Sequence, residues 1–250
     1  MPTYTRPGVA AAARLAALNG PSRLDIWERI EASYDDMILE KGGDKLVKLD
    51  KFCSGLAKKI SSSDEPAITK EELLKVVDWK FTKGKPRYAL MNRLKSNQNV
   101  EECSRVAFVE SEKGNVQEAI NALCTLNGVG PATASAVLTL HRGELFAFMD
   151  DEVIEAVYDG KRGYTYKIYD AMNSKCSEIA KGLGENWTTR RVGRALWTAS
   201  RLCASGEEDL TLKNNDGEAK EKKKPSAEKR AAAADERNTP HRGLRKRTKR

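Results

Sequence analysis

No stretch of these 250 residues approaches the ~18 consecutive apolar residues of a membrane-spanning helix, so the chain reads as soluble, with no membrane partner. Cysteine is sparse and scattered. The five stand at 53, 103, 124, 176 and 203, an odd number with no Cys-x-x-Cys. That spacing excludes a disulfide framework and a cysteine-clustered zinc or iron–sulfur site, and it implies reduced intracellular thiols. Histidine is scarcer still: His141 and His241 are the only two, which removes histidine-based catalysis and most histidine metal sites. No metal or cofactor is expected. Sustained period-two alternation of Val, Ile, Thr and aromatic residues is also missing, which argues against a large sheet.

Charge is abundant, with 44 Lys/Arg against 36 Asp/Glu, but the excess is local. Residues from Lys213 to Arg250 hold 14 of the basic and 6 of the acidic groups, so residues 1–212 hold 30 of each. Polyanion binding by the body must therefore rest on patches and not on average charge. From Ser205 onward the chain has almost no large apolar side chains to offset ordering entropy, and a disordered basic tail is expected over 206–250. Its runs Lys220-Glu221-Lys222-Lys223-Lys224-Pro225 and Arg245-Lys246-Arg247-Thr248-Lys249-Arg250 fit nuclear import signals or nonspecific nucleic-acid arms.

Three-residue and four-residue spacing of apolar side chains fills the region between, from Ser22 to about Cys203. Ile26, Trp27, Ile30, Tyr34 and Ile38 mark one helical face, and Leu46, Leu49, Phe52, Leu56 and Ile60 another. Thr69 with Glu72, and Asn115 with Glu118, carry capping-box spacing. Ile168, Met172, Cys176, Ile179 and Leu183 form a later helix stopped by Gly182 and Gly184. Residues 1–21 read as a flexible N-terminal segment, although Arg6 and Arg14 without acids also suit a mitochondrial presequence. The expectation is one all-α domain over residues 22–205.

The most specific segment is Leu123-Cys124-Thr125-Leu126-Asn127-Gly128-Val129-Gly130-Pro131-Ala132-Thr133-Ala134-Ser135-Ala136-Val137-Leu138. Gly128 and Gly130 permit a tight turn with positive φ and close backbone approach, while Val129 can point inward and pin it. Pro131 suits the first residue of a helix. Such a helix offers free amides and the positive end of its dipole, which can hold a phosphate without a basic side chain. An ordinary helix–helix corner would use glycines at the same place.

This segment resembles the hairpin of the helix-hairpin-helix DNA glycosylase superfamily, which reads Leu-x-Gly-Val-Gly before a helix of small residues. The resemblance implies a glycosylase-like helical domain that binds double-stranded DNA through the amides of Gly128, Val129, Gly130 and Ala132. It also implies a catalytic carboxylate about twenty residues on, after a short apolar segment. Asp150, behind Leu145-Phe146-Ala147-Phe148-Met149, is the counterpart, and would stabilise positive charge on the sugar while a base departs. Asp150 equally suits a helix N-cap, with Asp151 and Glu152 favoured by the dipole.

Two features of the superfamily are missing. Its bifunctional members carry a lysine where this chain has Ala132, so a Schiff-base lyase route loses its nucleophile. The segment after the aspartate also differs. Asp150-Asp151-Glu152 puts three acids in a row, which should repel phosphate and raise the apparent pKa of one of them.

Between Trp79 and Val100 stand Lys80, Lys83, Lys85, Arg87, Arg93 and Lys95, with no acid and with Trp79, Phe81 and Tyr88 interleaved. The Gly84-Lys85-Pro86 break suggests a loop showing cations beside rings, suited to DNA backbone contacts by Lys83, Lys85 and Arg87. The string from Trp79 to Arg87 resembles a segment of the Amun-like proteins, eukaryotic relatives of the glycosylase fold, and that likeness extends from about Ser22 to Cys203. Arg190, Arg191, Arg194 and Arg201 form a second acid-free run, and Tyr164, Tyr166 and Tyr169 a tyrosine cluster. The bland reading of both basic runs is solvated helix faces with the Trp rings in the core. The sequence thus implies a nuclear DNA-binding protein of two possible kinds. One is a monofunctional glycosylase releasing a flipped base, the other a non-catalytic module that kept the fold.

Overall fold

The computed structural model describes residues 7–18, 20–158 and 162–204. The basic tail expected over 206–250 lies outside the described residues. Among those described there is no strand, and the chain is built from helices and short connections. No helix among them is long and apolar enough to cross a membrane.

Residues expected to fray form a helix, α1 (Pro7–Ala17), which packs against the last helix and against a short one near Asp150. Ala12 and Leu15 are wholly buried, and the indole of Trp27 donates to the Leu18 carbonyl at 2.8 Å, tying down the end of α1. Alanine is the best helix former, and its small side chain lets helix backbones approach closely. The same property hides the segment from periodicity, since a stripe of alanines looks like composition and not like a face.

Helix α2 (Leu24–Ala32) buries Ile26, Trp27 and Ile30. It leads into α3 (Tyr34–Ser61), two helical pieces joined at Gly43, whose φ of 57° demands glycine. In its second piece Leu46, Leu56 and Ile60 are buried, while Leu49 and Phe52 are half-buried against the core. Helix α4 (Lys70–Lys83) opens with the capping box expected: the Glu72 amide donates to the Thr69 hydroxyl at 3.2 Å, and the Thr69 amide to Glu72 at 2.8 Å.

Helices α5 (Tyr88–Lys95), α6 (Val100–Glu112), α7 (Val116–Cys124) and α8 (Pro131–His141) follow. The second capping box does not form. Asn115 precedes α7, but its side chain makes no capping bond; its amide nitrogen donates to Glu110 at 2.7 Å, tying the side chain to the end of α6. Helices α9 (Asp151–Val157), α10 (Tyr166–Leu183) and α11 (Thr189–Ala204) complete the chain. Gly184, at φ 108°, is the glycine that ends α10; Gly182 is still helical.

Helix α8 lies at the centre. Every residue from Ala132 to Leu140 is buried, and α3, α4, α6, α7 and α10 all touch it. Small side chains make this possible, because Ala132, Ala134, Ser135 and Ala136 leave room for neighbours on every side. Burying its hydroxyls requires partners for them. Ser135 accepts from the Met149 amide at 3.0 Å, and Thr139 donates to the Phe146 carbonyl at 2.9 Å. Asn173 of α10 completes the clamp, accepting from the Ala147 amide at 2.8 Å and donating to the Leu145 carbonyl at 2.8 Å. The apolar run that leads to Asp150 is thereby bolted to the helix that follows the hairpin.

Candidate nucleic-acid interface

The turn between α7 and α8 is shaped by one glycine. Gly128 has φ +84°, and a Cβ there would come within 3.1 Å of Arg93 and 3.3 Å of the Leu90 carbonyl, so the position excludes other residues twice over. Gly130 is different. Its backbone is extended (φ −123°, ψ −178°), which any residue adopts, and a Cβ there would meet nothing within 4 Å. The expectation that both glycines supply positive φ is corrected: only Gly128 does. Gly130 keeps a surface bare.

Val129 is buried as expected, but its amide is already used, donating to the Leu126 carbonyl at 3.1 Å. It is removed from the proposed phosphate grip. The amides of Gly128, Gly130 and Ala132 have no protein acceptor among the described residues, while those of Thr133 and Ala134 donate to the Gly130 carbonyl at 2.8 and 2.9 Å. Pro131 occupies the first helical position. The free donors therefore stand at the N-terminal end of α8, where the helix dipole favours an anion.

The turn is braced by a residue that nothing in the sequence singles out. Asn97, buried between α5 and α6, accepts from the Asn127 amide at 2.8 Å and donates to the Asn127 carbonyl at 2.9 Å and the Leu94 carbonyl at 3.1 Å. It lies in Ser96-Asn97-Gln98-Asn99, a polar run that reads only as a connection.

A cavity of about 380 Å³ opens in front of the hairpin, lined by the segment from Gly128 to Thr133, by Lys80, Lys85, Arg87 and Arg93, and by Asp150, Asp151 and Tyr164. Three segments separated widely in sequence thus meet at one hollow. Lys85 and Arg87 are exposed, and the Arg87 guanidinium lies 5.2 Å from the centre of the Tyr164 ring. Tyr164 donates to Asp151 at 2.6 Å, and Arg162 pairs with Asp151 at 2.8 Å and also with Glu155. Burial is the main reason the Lys80 ammonium is pulled below its ordinary pKa; the charge of Arg87 adds to this, and Asp150 and Asp151 oppose it.

Lys83 does not belong with these cations, and its placement as a DNA contact is corrected. The last residue of α4 turns inward and is only 3% exposed. Its ammonium lies 2.9 Å from Asp150 Oδ2 and within 5.8 Å of four ring centres, those of Tyr34, Trp79, Phe148 and Trp197, the last at 4.3 Å. An ammonium without water needs an anion, and the rings add quadrupole attraction from several sides. Trp79 and Phe81 are likewise core residues and not stacking platforms. The Trp79 indole donates to Asp50 at 2.9 Å, and Tyr34 donates to the same carboxylate at 2.8 Å. The side chain of Tyr88 lies outside the described residues.

Asp150 carries both roles that the sequence allowed it. Its Oδ1 accepts from the Asp151 amide at 2.9 Å, capping α9, and it lines the cavity floor at 4% exposure. Beside it the Glu152 carboxyl is pushed up to about 7, chiefly by burial and then by the charge of Asp150. The three consecutive acids therefore carry little uncompensated charge. Asp150 faces Lys83, Asp151 faces Arg162, and burial shifts Glu152 toward its neutral form.

The second basic run is structural. Arg191 clamps Glu31 with its guanidinium fork, Arg194 lies 3.9 Å from the centre of the Tyr34 ring, and Arg201 reaches Glu40 at 3.8 Å. The tyrosine cluster divides: Tyr164 reaches the cavity, Tyr169 is wholly buried, and Tyr166 packs against the core. No grouping of His, Cys, Asp and Glu suited to a metal ion occurs among the described residues. Comparison of the chain with family models, with curated proteins and with solved structures found no match.

Proposed function

We propose that this protein is a DNA-binding protein with a helix-hairpin-helix glycosylase fold, acting as a monofunctional enzyme that hydrolyses the N-glycosidic bond of a flipped base. The observation that carries this reading is the shared cavity. Free amides at Gly128, Gly130 and Ala132, the cations Lys80, Lys85, Arg87 and Arg93, and the carboxylate of Asp150 all border one hollow. The amides suit one phosphate, the cations its neighbours along the strand, and Asp150 the positive charge that grows on a sugar as its base leaves. Tyr164, with Arg87 beside its ring, offers a face for a base turned out of the duplex. The basic tail runs support a nuclear location for such an enzyme.

A non-catalytic DNA-binding module is the second reading, and one observation favours it: both oxygens of Asp150 are already engaged, by the Asp151 amide and by Lys83. Single-turnover incubation of the protein with duplexes carrying a panel of damaged bases decides between them. Base release by wild type that is lost in Asp150→Asn supports the enzyme. Because that change strands the Lys83 charge, the doubly altered Lys83→Met/Asp150→Asn protein, folded by circular dichroism, serves as the second inactive control. DNA binding without release on any duplex establishes the module instead. Gly130→Glu, at an open position, should weaken duplex binding at least tenfold while the domain stays folded; unchanged affinity takes the hairpin out of the interface.

A further inference from the structure

A buried cation without an anion of its own is costly, and an anion beside it lowers that cost. A second, smaller hollow of about 20 Å³ shares Asp150 and Phe148 with the larger cavity and is bordered also by Lys83 of α4 and by Arg190 and Arg194 of α11. Lys83 is paired with Asp150 at 2.9 Å, so one of these cations is balanced. The other two are not. On the same helix Arg191 clamps Glu31 and Arg201 reaches Glu40, whereas Arg190 and Arg194 have no ion pair among the described residues. Arg194 Nε is buried with no acceptor there, and the guanidinium lies 3.9 Å from the centre of the Tyr34 ring. Asp50 stands outside the hollow, and its Oδ1 accepts from Tyr34 and Trp79, which line it. Counting Asp50 still leaves three positive charges against two negative.

We propose that this hollow binds one monoatomic anion, chloride or a heavier halide, held by Arg190 and Arg194 with Lys83 alongside. Size selects the class. The hollow exceeds the roughly 10–15 Å³ that a single water needs, and it is far too small for a phosphate or a carboxylate ligand. A water fits as well, but it brings no charge to offset the excess. Arg190 is the second residue of α11, so the positive end of that helix adds to the attraction. The Arg190 guanidinium is pulled below its ordinary pKa, chiefly by burial and then by the charge of Arg194, which is the direction an uncompensated cation takes. The site is distinct from the free amides of the hairpin, and it stands whether or not the protein acts on DNA.

Urea unfolding of the full-length protein without DNA tests it, with chloride replaced stepwise by gluconate, too large to enter, at constant ionic strength. The unfolding constant of wild type should fall about tenfold for each tenfold rise in chloride above its dissociation constant, the mark of one bound ion. Bromide should act as chloride does. General salt effects do not depend on one side chain, so Arg194→Met, folded by circular dichroism, should lose the chloride dependence. Because that change also removes the contact with Tyr34, Arg190→Met is the second variant and should weaken chloride binding at least tenfold. In crystals grown with bromide, the anomalous signal should lie between Arg190 and Arg194, which locates the ion without any substitution. Equal stability of wild type in chloride and gluconate overturns the site. So does a hollow that holds only water in those crystals, or a chloride dependence kept in full by both folded variants.

Discussion

Asn97 and Asn127 are joined by a two-way amide contact, the side chain of the first accepting from the backbone N–H of the second at 2.8 Å and donating to its carbonyl at 2.9 Å. The pair imitates a rung of sheet pairing inside a helical protein, and it holds the hairpin against the end of α5. Asn97→Ala leaves a buried amide and carbonyl without partners. The expected loss is about 2 kcal/mol of unfolding free energy, read from urea melts, with duplex affinity falling alongside. Asn97→Asp should differ, restoring the acceptor for the Asn127 amide but not the donor.

The two glycines of the hairpin should separate cleanly. Gly128→Ala meets both a positive φ and the Arg93 side chain, and should cost about 1–3 kcal/mol. Gly130→Ala meets neither and should change stability by less than about 0.5 kcal/mol. Thermal melts of the two variants side by side measure this; equal losses would mean that the turn is strained at both positions.

Leu15 tests whether α1 belongs to the domain. Its side chain is wholly buried, so Leu15→Ala should cost about 3 kcal/mol, as deletion of a core leucine does elsewhere. A neutral effect would return residues 7–17 to the status of a loose segment.

Stability should also depend on pH through Glu152. Its carboxyl is raised in the folded protein, from about 4.5 to about 7, so the neutral form is favoured by folding. The associated stabilisation is fully present below about pH 4.5 and is lost as pH rises through 7, amounting to about 3 kcal/mol at most. The pH-stability curve of Glu152→Gln should therefore lie flatter than wild type across that window. His141 contributes with the opposite sign, since burial lowers its pKa and folding then weakens as acid protonates it. The comparison with the variant cancels that term.

Much of the fold was legible because large apolar side chains repeat with helical spacing. The faces through Ile26 and Ile30 and through Leu46, Leu56 and Ile60 are buried where the pattern puts them. The capping box at Thr69 and the inward turn of Val129 were legible for the same local reason. The exceptions share a cause. Helix α1 is made of alanine, which carries no pattern, and the bracing by Asn97, Ser135, Thr139 and Asn173 depends on partners 7 to 30 positions away. Lys83 was misread because a basic run looks the same whether its cations face water or a buried anion; only folding brings Asp150, far along the chain, to its ammonium. Conversely, the strain expected of three adjacent acids was readable, and it falls on Glu152.

The ring of aromatic side chains around Lys83 has a practical consequence. Its ammonium sits 4.3 Å from the centre of the Trp197 ring and 5.4 Å from that of Trp79, and indole emission responds to nearby charge. Any event that draws Asp150 away from Lys83, or alters the charge around them, would change the colour and yield of that fluorescence. The protein carries its own optical gauge, set in the core beside Asp150 and requiring no label.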